Sequence, residues 1–129
     1  MNINSLRLGN YVFVGRTIFE KPRRILGFDR KHVLIEPKNK KEHEFEVCIA
    51  ELISGVPLNI NILTQSGFSR DSMSSQTFSL DYIRVRLVDG GSFFISFDTL
   101  DREIKEIKYV HELQNFFFET RNKELKINL

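Results

Sequence analysis

The sequence predicts an α+β fold: an N-terminal SH3-like small β-barrel followed by a short helix, a β-hairpin and a C-terminal helix. Three observations predict it. Short apolar runs alternate through the first 50 residues, the period changes at Pro57, and an apolar stripe at helical spacing runs from about 110 to 121. At 129 residues the chain fits one domain of two subregions, 1–58 and 59–129, long enough to bury a core without disulfides or a metal. Twelve Phe and three Tyr with no Trp make that core Phe-rich.

The first subregion reads as four short strands. "NYVFVG" (10–15), "PRRILGFD" (22–29), "KHVLIEP" (31–37) and "HEFEVCIAEL" (43–52) are rich in Val, Ile, Phe and Tyr, and are parted by Gly15, Pro22 and the loop "PKNKKEH" (37–43). Alternation sets Tyr11 and Phe13 against Val12 and Val14, and sets Phe45, Val47 and Ile49 on the face opposite Cys48. With apolar residues on both faces, an open sheet this small leaves one face wet. Curling into a barrel over about 6–58 is the expected solution.

Pro57 then breaks the strand pattern. In "GVPLNINILTQSGF" (55–68), Asn59 caps one to two turns of helix, Ile60, Ile62 and Leu63 give it apolar contacts, and Gly67 ends it. "SRDSMSSQT" (69–77) is small and polar and reads as a surface loop.

"YIRVRLVDGGSFFISFD" (82–98) carries the strongest hairpin signal. A two-residue turn at Asp89 and Gly90 would set Arg86 opposite Phe93 and Arg84 opposite Ile95, mixing charge with apolar side chains. A three-residue loop of Asp89, Gly90 and Gly91 instead pairs Leu87 with Phe93, Val85 with Ile95 and Ile83 with Phe97. One face is then wholly apolar. The other carries Arg84, Arg86, Val88, Phe94 and Ser96.

In "EIKYVHELQNFFFETRNKELKINL" (106–129) Ile107 and Tyr109 alternate as in a strand, after which Val110, Leu113, Phe116, Phe117 and Thr120 form one helical stripe. The helix runs from about 110 to 121 and ends at Asn122 in the left-handed region. Leu125, Ile127 and Leu129 follow as a strand or extended tail. At ~100° per residue, Phe118 falls roughly 140° from Leu113 and misses the main core.

"LRLGNYV" (6–12), "GVPLNINILTQSGF" and "IKYVHELQNFFFETRNKELKI" (107–127) are the residues that carry a family resemblance. By them the chain resembles an uncharacterised small-protein family of Bacteroidota genomes, prophages and other mobile elements. The family pattern is similar to L-R-[IL]-G-N-[YWL]-V, then [IV]-P-L-T-x-E-x-L-x-x-x-G-F, then I-K-Y-V-H-[QE]-L-Q-N-L-[YF]-F. Asn59 stands where that family usually has Thr and Asn122 where Gly is commoner, each an exchange of one suitable cap for another. The resemblance implies an accessory protein of a bacterium or its mobile elements, and implies no chemistry.

Enzyme chemistry has little to stand on. His32, His43 and His111 have no second His or Cys at metal-ligand spacing, and Cys48 sits inside an alternating strand where free cysteine is usually buried and inert. "DTLDRE" (98–103) reads as a solvated turn and "VDGGS" as a turn rather than a phosphate cradle. No nucleophile, base and orienting group can be named together, so a non-enzymatic binding protein without cofactor or metal is expected. A single cysteine fits a reducing cytoplasm. No window approaches the ~18 uncharged apolar residues that span a bilayer, and the N-terminus has no leader pattern, so a soluble, unprocessed protein is expected.

Charge points to where binding would occur. Residues 1–50 hold ten Lys/Arg against six Asp/Glu, the remainder nine against eleven. Arg23, Arg24, Arg30, Lys31, Lys38, Lys40 and Lys41 flank the barrel strands, and Arg84, Arg86 and Phe94 share the outer face of the hairpin. Two partners follow. A protein partner or homo-oligomer would use Phe118, Phe94 and the barrel loops. An anionic ligand, single-stranded nucleic acid or a signalling nucleotide, would use Arg23, Arg24, Arg84 and Arg86.

Overall fold

A computed structural model describes residues 2–15, 21–38, 45–99 and 102–129. The chain forms two compact units, Met1–Val56 and Pro57–Leu129. Two antiparallel sheets and two helices among the described residues make it an α+β fold.

The first unit is a five-stranded sheet of β1 (Tyr11–Val14), β2 (Arg23–Phe28), β3 (His32–Ile35), β4 (Glu46–Ile49) and β5 (Ile53–Gly55), in the order β4-β3-β2-β1-β5. Period-2 alternation turns Val12, Ile25, Val33, Ile35, Cys48 and Ile53 onto one face, where with Leu6 they form a core. The run read as one strand over 43–52 differs from this. Its residues 43 and 44 lie outside the described residues, and a 3-10 turn, Ala50–Leu52, interrupts the strand and delivers the chain as β5 to pair with β1. Nothing local marks that interruption, because apolar residues continue through it at Ala50, Leu52 and Ile53. No pairing among the described residues joins β4 to β5, so the hydrogen bonding is that of an open sheet.

The segment "LRLGN" ties the N-terminus to this sheet. Gly9 takes φ +87, a left-handed conformation that costs glycine little, and lets the buried Asn10 side chain accept a 2.6 Å hydrogen bond from the Arg7 amide. The Gly9 amide donates to Ile25 O at 2.8 Å, and the Ile25 amide to Asn10 O at 2.9 Å.

The second unit opens with α1 (Ile60–Gln65), which Asn59 caps as expected, its Oδ1 accepting from the Ile62 amide at 2.8 Å. A second sheet follows, built from β6 (Ser69–Arg70), β7 (Thr77–Leu80), β8 (Ile83–Leu87), β9 (Phe93–Phe97) and β10 (Lys105–Ile107), in the order β10-β9-β8-β7-β6. The β8–β9 register is the one alternation selects: Leu87 faces Phe93, Val85 faces Ile95 and Ile83 faces Phe97. Ile83, Val85 and Ile95 are fully buried, while Arg84 and Arg86 lie on the other face. Gly91 closes the loop at φ +84.

The stretch read as a loop over 69–77 is largely one, yet its ends are strand. Ser69 and Arg70 pair with Ser79 and Phe78. The strand β7 escapes sequence reading because its turn to β8 has no glycine. Asp81 and Tyr82 both take positive φ there, at 50° and 67°. Two contacts with the chain beyond the last helix's core hold that conformation: Lys123 Nζ meets Asp81 Oδ2 at 2.5 Å, and the Arg121 guanidinium lies 5.5 Å over the Tyr82 ring.

The final helix, α2 (Val110–Arg121), packs against this sheet, with the Phe116 ring 5.8 Å from that of Phe97. Glu112 accepts the Tyr109 amide at 3.1 Å at its start, and Asn122 ends it at φ 55. Val110, His111, Leu113, Gln114, Phe116 and Phe117 are buried, an arc of roughly 220° at ~100° per residue, wider than the apolar stripe. Phe118 is half-buried and Thr120 exposed. Beyond the helix Leu125 is buried and the Asn128 amide donates to Ser66 Oγ at 3.1 Å, so the tail is extended and not paired as a strand. Among the described residues, no helix is long and apolar enough to cross a membrane.

His111 gives the second unit a pH dependence. Its ring stacks on Tyr109 at 5.7 Å, its Nδ1 is buried without a hydrogen-bond partner, and burial holds its pKa below the usual 6.5. The folded chain therefore takes up the proton less readily than the unfolded chain. Stability is full above about pH 6.5 and falls as the pH drops below it towards the folded pKa. Urea unfolding at pH 7.5 and 5.5 should show this loss in the wild type and a smaller one in His111→Gln.

Candidate functional site

Two surfaces bring functional side chains together, one in each unit. In the first unit, β4 lies at the sheet edge, and Phe45, Val47 and Ile49 are 54%, 56% and 44% exposed. Alternation explains why they share a face, since Cys48 between them points into the core and burial pushes its thiol pKa up. Leu34, opposite Val47 on β3, is half-buried on the same face. Leu26 is also exposed, placed where β2 shifts register between Ile25 and Gly27.

The backbone of β4 is presented with these side chains. His32 O accepts from Asp29 and the Glu36 amide donates to Arg24 O, so even-numbered residues of β3 hydrogen-bond towards β2. Val33 and Ile35 then bond towards their β4 partners, Cys48 and Glu46. The amide and carbonyl of Val47 therefore point out from the sheet edge, while the Ile49 carbonyl is turned into the 3-10 turn that it caps.

The basic residues expected around this unit have different fates. Arg23 is buried, its side chain only 7% exposed, with Nη1 2.8 Å from Glu46 Oε2 and 3.4 Å from Glu36 O. Arg24 is exposed and stands 3.5 Å from Glu36. Arg30, Lys31 and Lys38 are exposed, and Lys40, Lys41 and His43 lie outside the described residues. His32 stands 3.7 Å from Asp29.

In the second unit the outer face of the sheet holds a polar cleft of about 200 Å³, lined by Asp71, Thr77, Arg84, Arg86, Ser96, Arg102 and Glu103. Register builds it: Arg86 sits between Thr77 and Phe94, and Arg84 between Ser79 and Ser96. Thr77 and Ser96 are buried under the long arginine side chains and form its floor. Arg102 and Glu103 supply the wall. Asp98 Oδ1 lies 3.4 Å from Arg84 Nε, and Glu103 Oε1 lies 2.5 Å from Arg86 Nη2. The Arg86 guanidinium also lies 5.7 Å over the Phe94 ring, which occupies its face. Asp98 and Glu103, read as part of a solvated turn, are thus partners of the two arginines.

Arg84, Arg86 and Phe94 therefore stand together, as the hairpin register required. Phe118 belongs to α2 and does not line the cleft. Thr77, Asp71 and Arg102 were not readable as site residues, because their place depends on β7 lying beside β8 and on the return of the chain after β9. Among the described residues no cluster of His, Cys, Asp and Glu could hold a metal ion.

No family model, no curated protein and no solved structure matches the chain.

Proposed function

We propose that the protein is a non-enzymatic binding module that takes up an extended strand of a protein partner along β4. The observation that carries this reading is the coincidence of the outward backbone of Val47 at the sheet edge with the exposed apolar side chains of Phe45, Val47 and Ile49. Edge strands in stable monomers are usually guarded by Lys, Pro or a bulge. Within Glu46–Ile49 the one charge, Glu46, is engaged with Arg23.

Size distinguishes a strand from a second copy. Three partly exposed side chains present far less than the ~800 Å² per partner of a stable dimer. Backbone hydrogen bonds from an added strand make up affinity that side-chain area alone does not provide. Alternate apolar residues in that strand would extend the face formed by Val47 and Leu34.

The finer architecture and setting belong to the same proposal. The order β4-β3-β2-β1-β5 and the 3-10 turn before β5 support an SH3-like barrel for the first unit. The resemblance to proteins of Bacteroidota prophages and mobile elements supports an accessory role in the cytoplasm of such a host.

Val47→Asp provides the test, since its side chain is exposed and the change leaves the core intact. A host protein captured by the wild type should be lost by this variant, and hydrogen exchange at the amides of residues 45, 47 and 49 should slow when that partner is present. Capture unaffected by Val47→Asp, with protection elsewhere, rejects the reading. So does a wild-type mass by light scattering of twice 15.2 kDa that Val47→Asp returns to one, which would make the occupant a second copy.

A further inference from the structure

The outer cleft of the second sheet carries an inference independent of the strand edge. Three guanidiniums, Arg84, Arg86 and Arg102, line a space of about 200 Å³ floored by Thr77 and Ser96. Arginine forks match the oxygens of phosphate and carboxylate, and such charge-assisted bonds are about twice as strong as neutral ones. Arg102 is exposed and has no ion pair among the described residues.

Two of the arginines already hold carboxylates. Glu103 on Arg86 and Asp98 on Arg84 occupy guanidinium edges that a ligand would use. Arg86 and Glu103 are 43% and 35% exposed, and water weakens an ion pair that it contacts. An incoming anion with more charge and more acceptor oxygens can displace Glu103 at small cost. The remaining acid of the lining, Asp71, is turned to its own loop, Oδ1 accepting the Met73 amide at 2.8 Å.

The ligand's size is bounded too. Pockets that enclose drug-sized molecules measure ~300–1,000 Å³, and one water takes ~30 Å³. The cleft thus suits a phosphoryl group and little more. The Arg86 guanidinium lies over the Phe94 ring and takes up a face on which a base would stack.

We propose that this cleft binds the terminal phosphate of a phosphomonoester, with Arg84, Arg86 and Arg102 as its ligands and Glu103 as an internal competitor that the phosphate displaces. A dianion with three terminal oxygens offers each arginine an oxygen of its own, and a carboxylate carries half the charge on two oxygens.

The test is titration of the full chain with inorganic phosphate and with ribose 5-phosphate at constant ionic strength, followed by amide shifts. Saturable binding centred on residues 84, 86, 96 and 102 is expected. Arg102→Gln, an exposed change, should weaken it about tenfold. Glu103→Gln should tighten it about two- to fivefold, the fold-change matching the value of an exposed pair. Glu119→Gln, which removes the same charge from the exposed face of α2, should leave it unchanged. Non-saturating shifts, acetate binding as tightly as phosphate, or equal effects of Glu103→Gln and Glu119→Gln would overturn the proposal.

Discussion

Phe117→Ala is expected to remove about 3–5 kcal/mol from the free energy of unfolding, while Phe118→Ala one residue on removes about 1 kcal/mol. The ring of Phe117 is 2% exposed in the interior of the second unit, and truncation there leaves a cavity that close-packed neighbours fill only in part. Phe118 is half-buried at the edge of the same arc, so water already contacts it and little new void forms. Phe116, at 8% exposure against Phe97, should fall nearer to Phe117. Urea unfolding of the three variants measures the order directly. Equal losses at 117 and 118 would mean that the helix is rotated from the position described.

Glu46→Ala is expected to cost about 2 kcal/mol, although the carboxylate sits on an edge strand. Its partner Arg23 keeps a charged head with its side chain only 7% exposed, and losing Glu46 removes the carboxylate that stands 2.8 Å from that buried charge. Fully buried pairs lose ~3–5 kcal/mol when one partner goes. The estimate is lower here because the Glu46 side chain is 42% exposed and water can replace part of the interaction. Arg23→Met should be milder than Glu46→Ala, because it removes the buried charge itself. Chemical denaturation of both variants decides this. If Glu46→Ala is neutral, Arg23 does not depend on that pair.

The residues differ in how far their roles were legible. The pairing of Leu87 with Phe93 could be read because alternation admits one register that keeps Arg84 and Arg86 off the apolar face. Asn59 and Asn122 were legible as caps from side-chain chemistry and left-handed tolerance, which are local properties. Strand β7 was not, because its turn uses Asp81 and Tyr82 where Asn-Gly would announce a hairpin, and the contacts that hold it come from residues 121 and 123. Arg23 and Arg24 look equivalent in sequence. Alternation puts them on opposite faces, and the tertiary fold brings the Glu46 carboxylate to the buried Arg23.

Sequence alone determined the alternation of faces, the places where helices start and stop, and the grouping of Arg84, Arg86 and Phe94, since each depends on residues within one strand, turn or hairpin. Tertiary structure alone decided which strands became neighbours. That choice turned β4 into an open edge with three wet apolar side chains, and brought Asp71, Thr77, Arg102 and Glu103 around the two hairpin arginines. The physical reason is that a strand's pairing partners are chosen by the free energy of burying whole faces across long stretches of chain. No short window of sequence contains that sum.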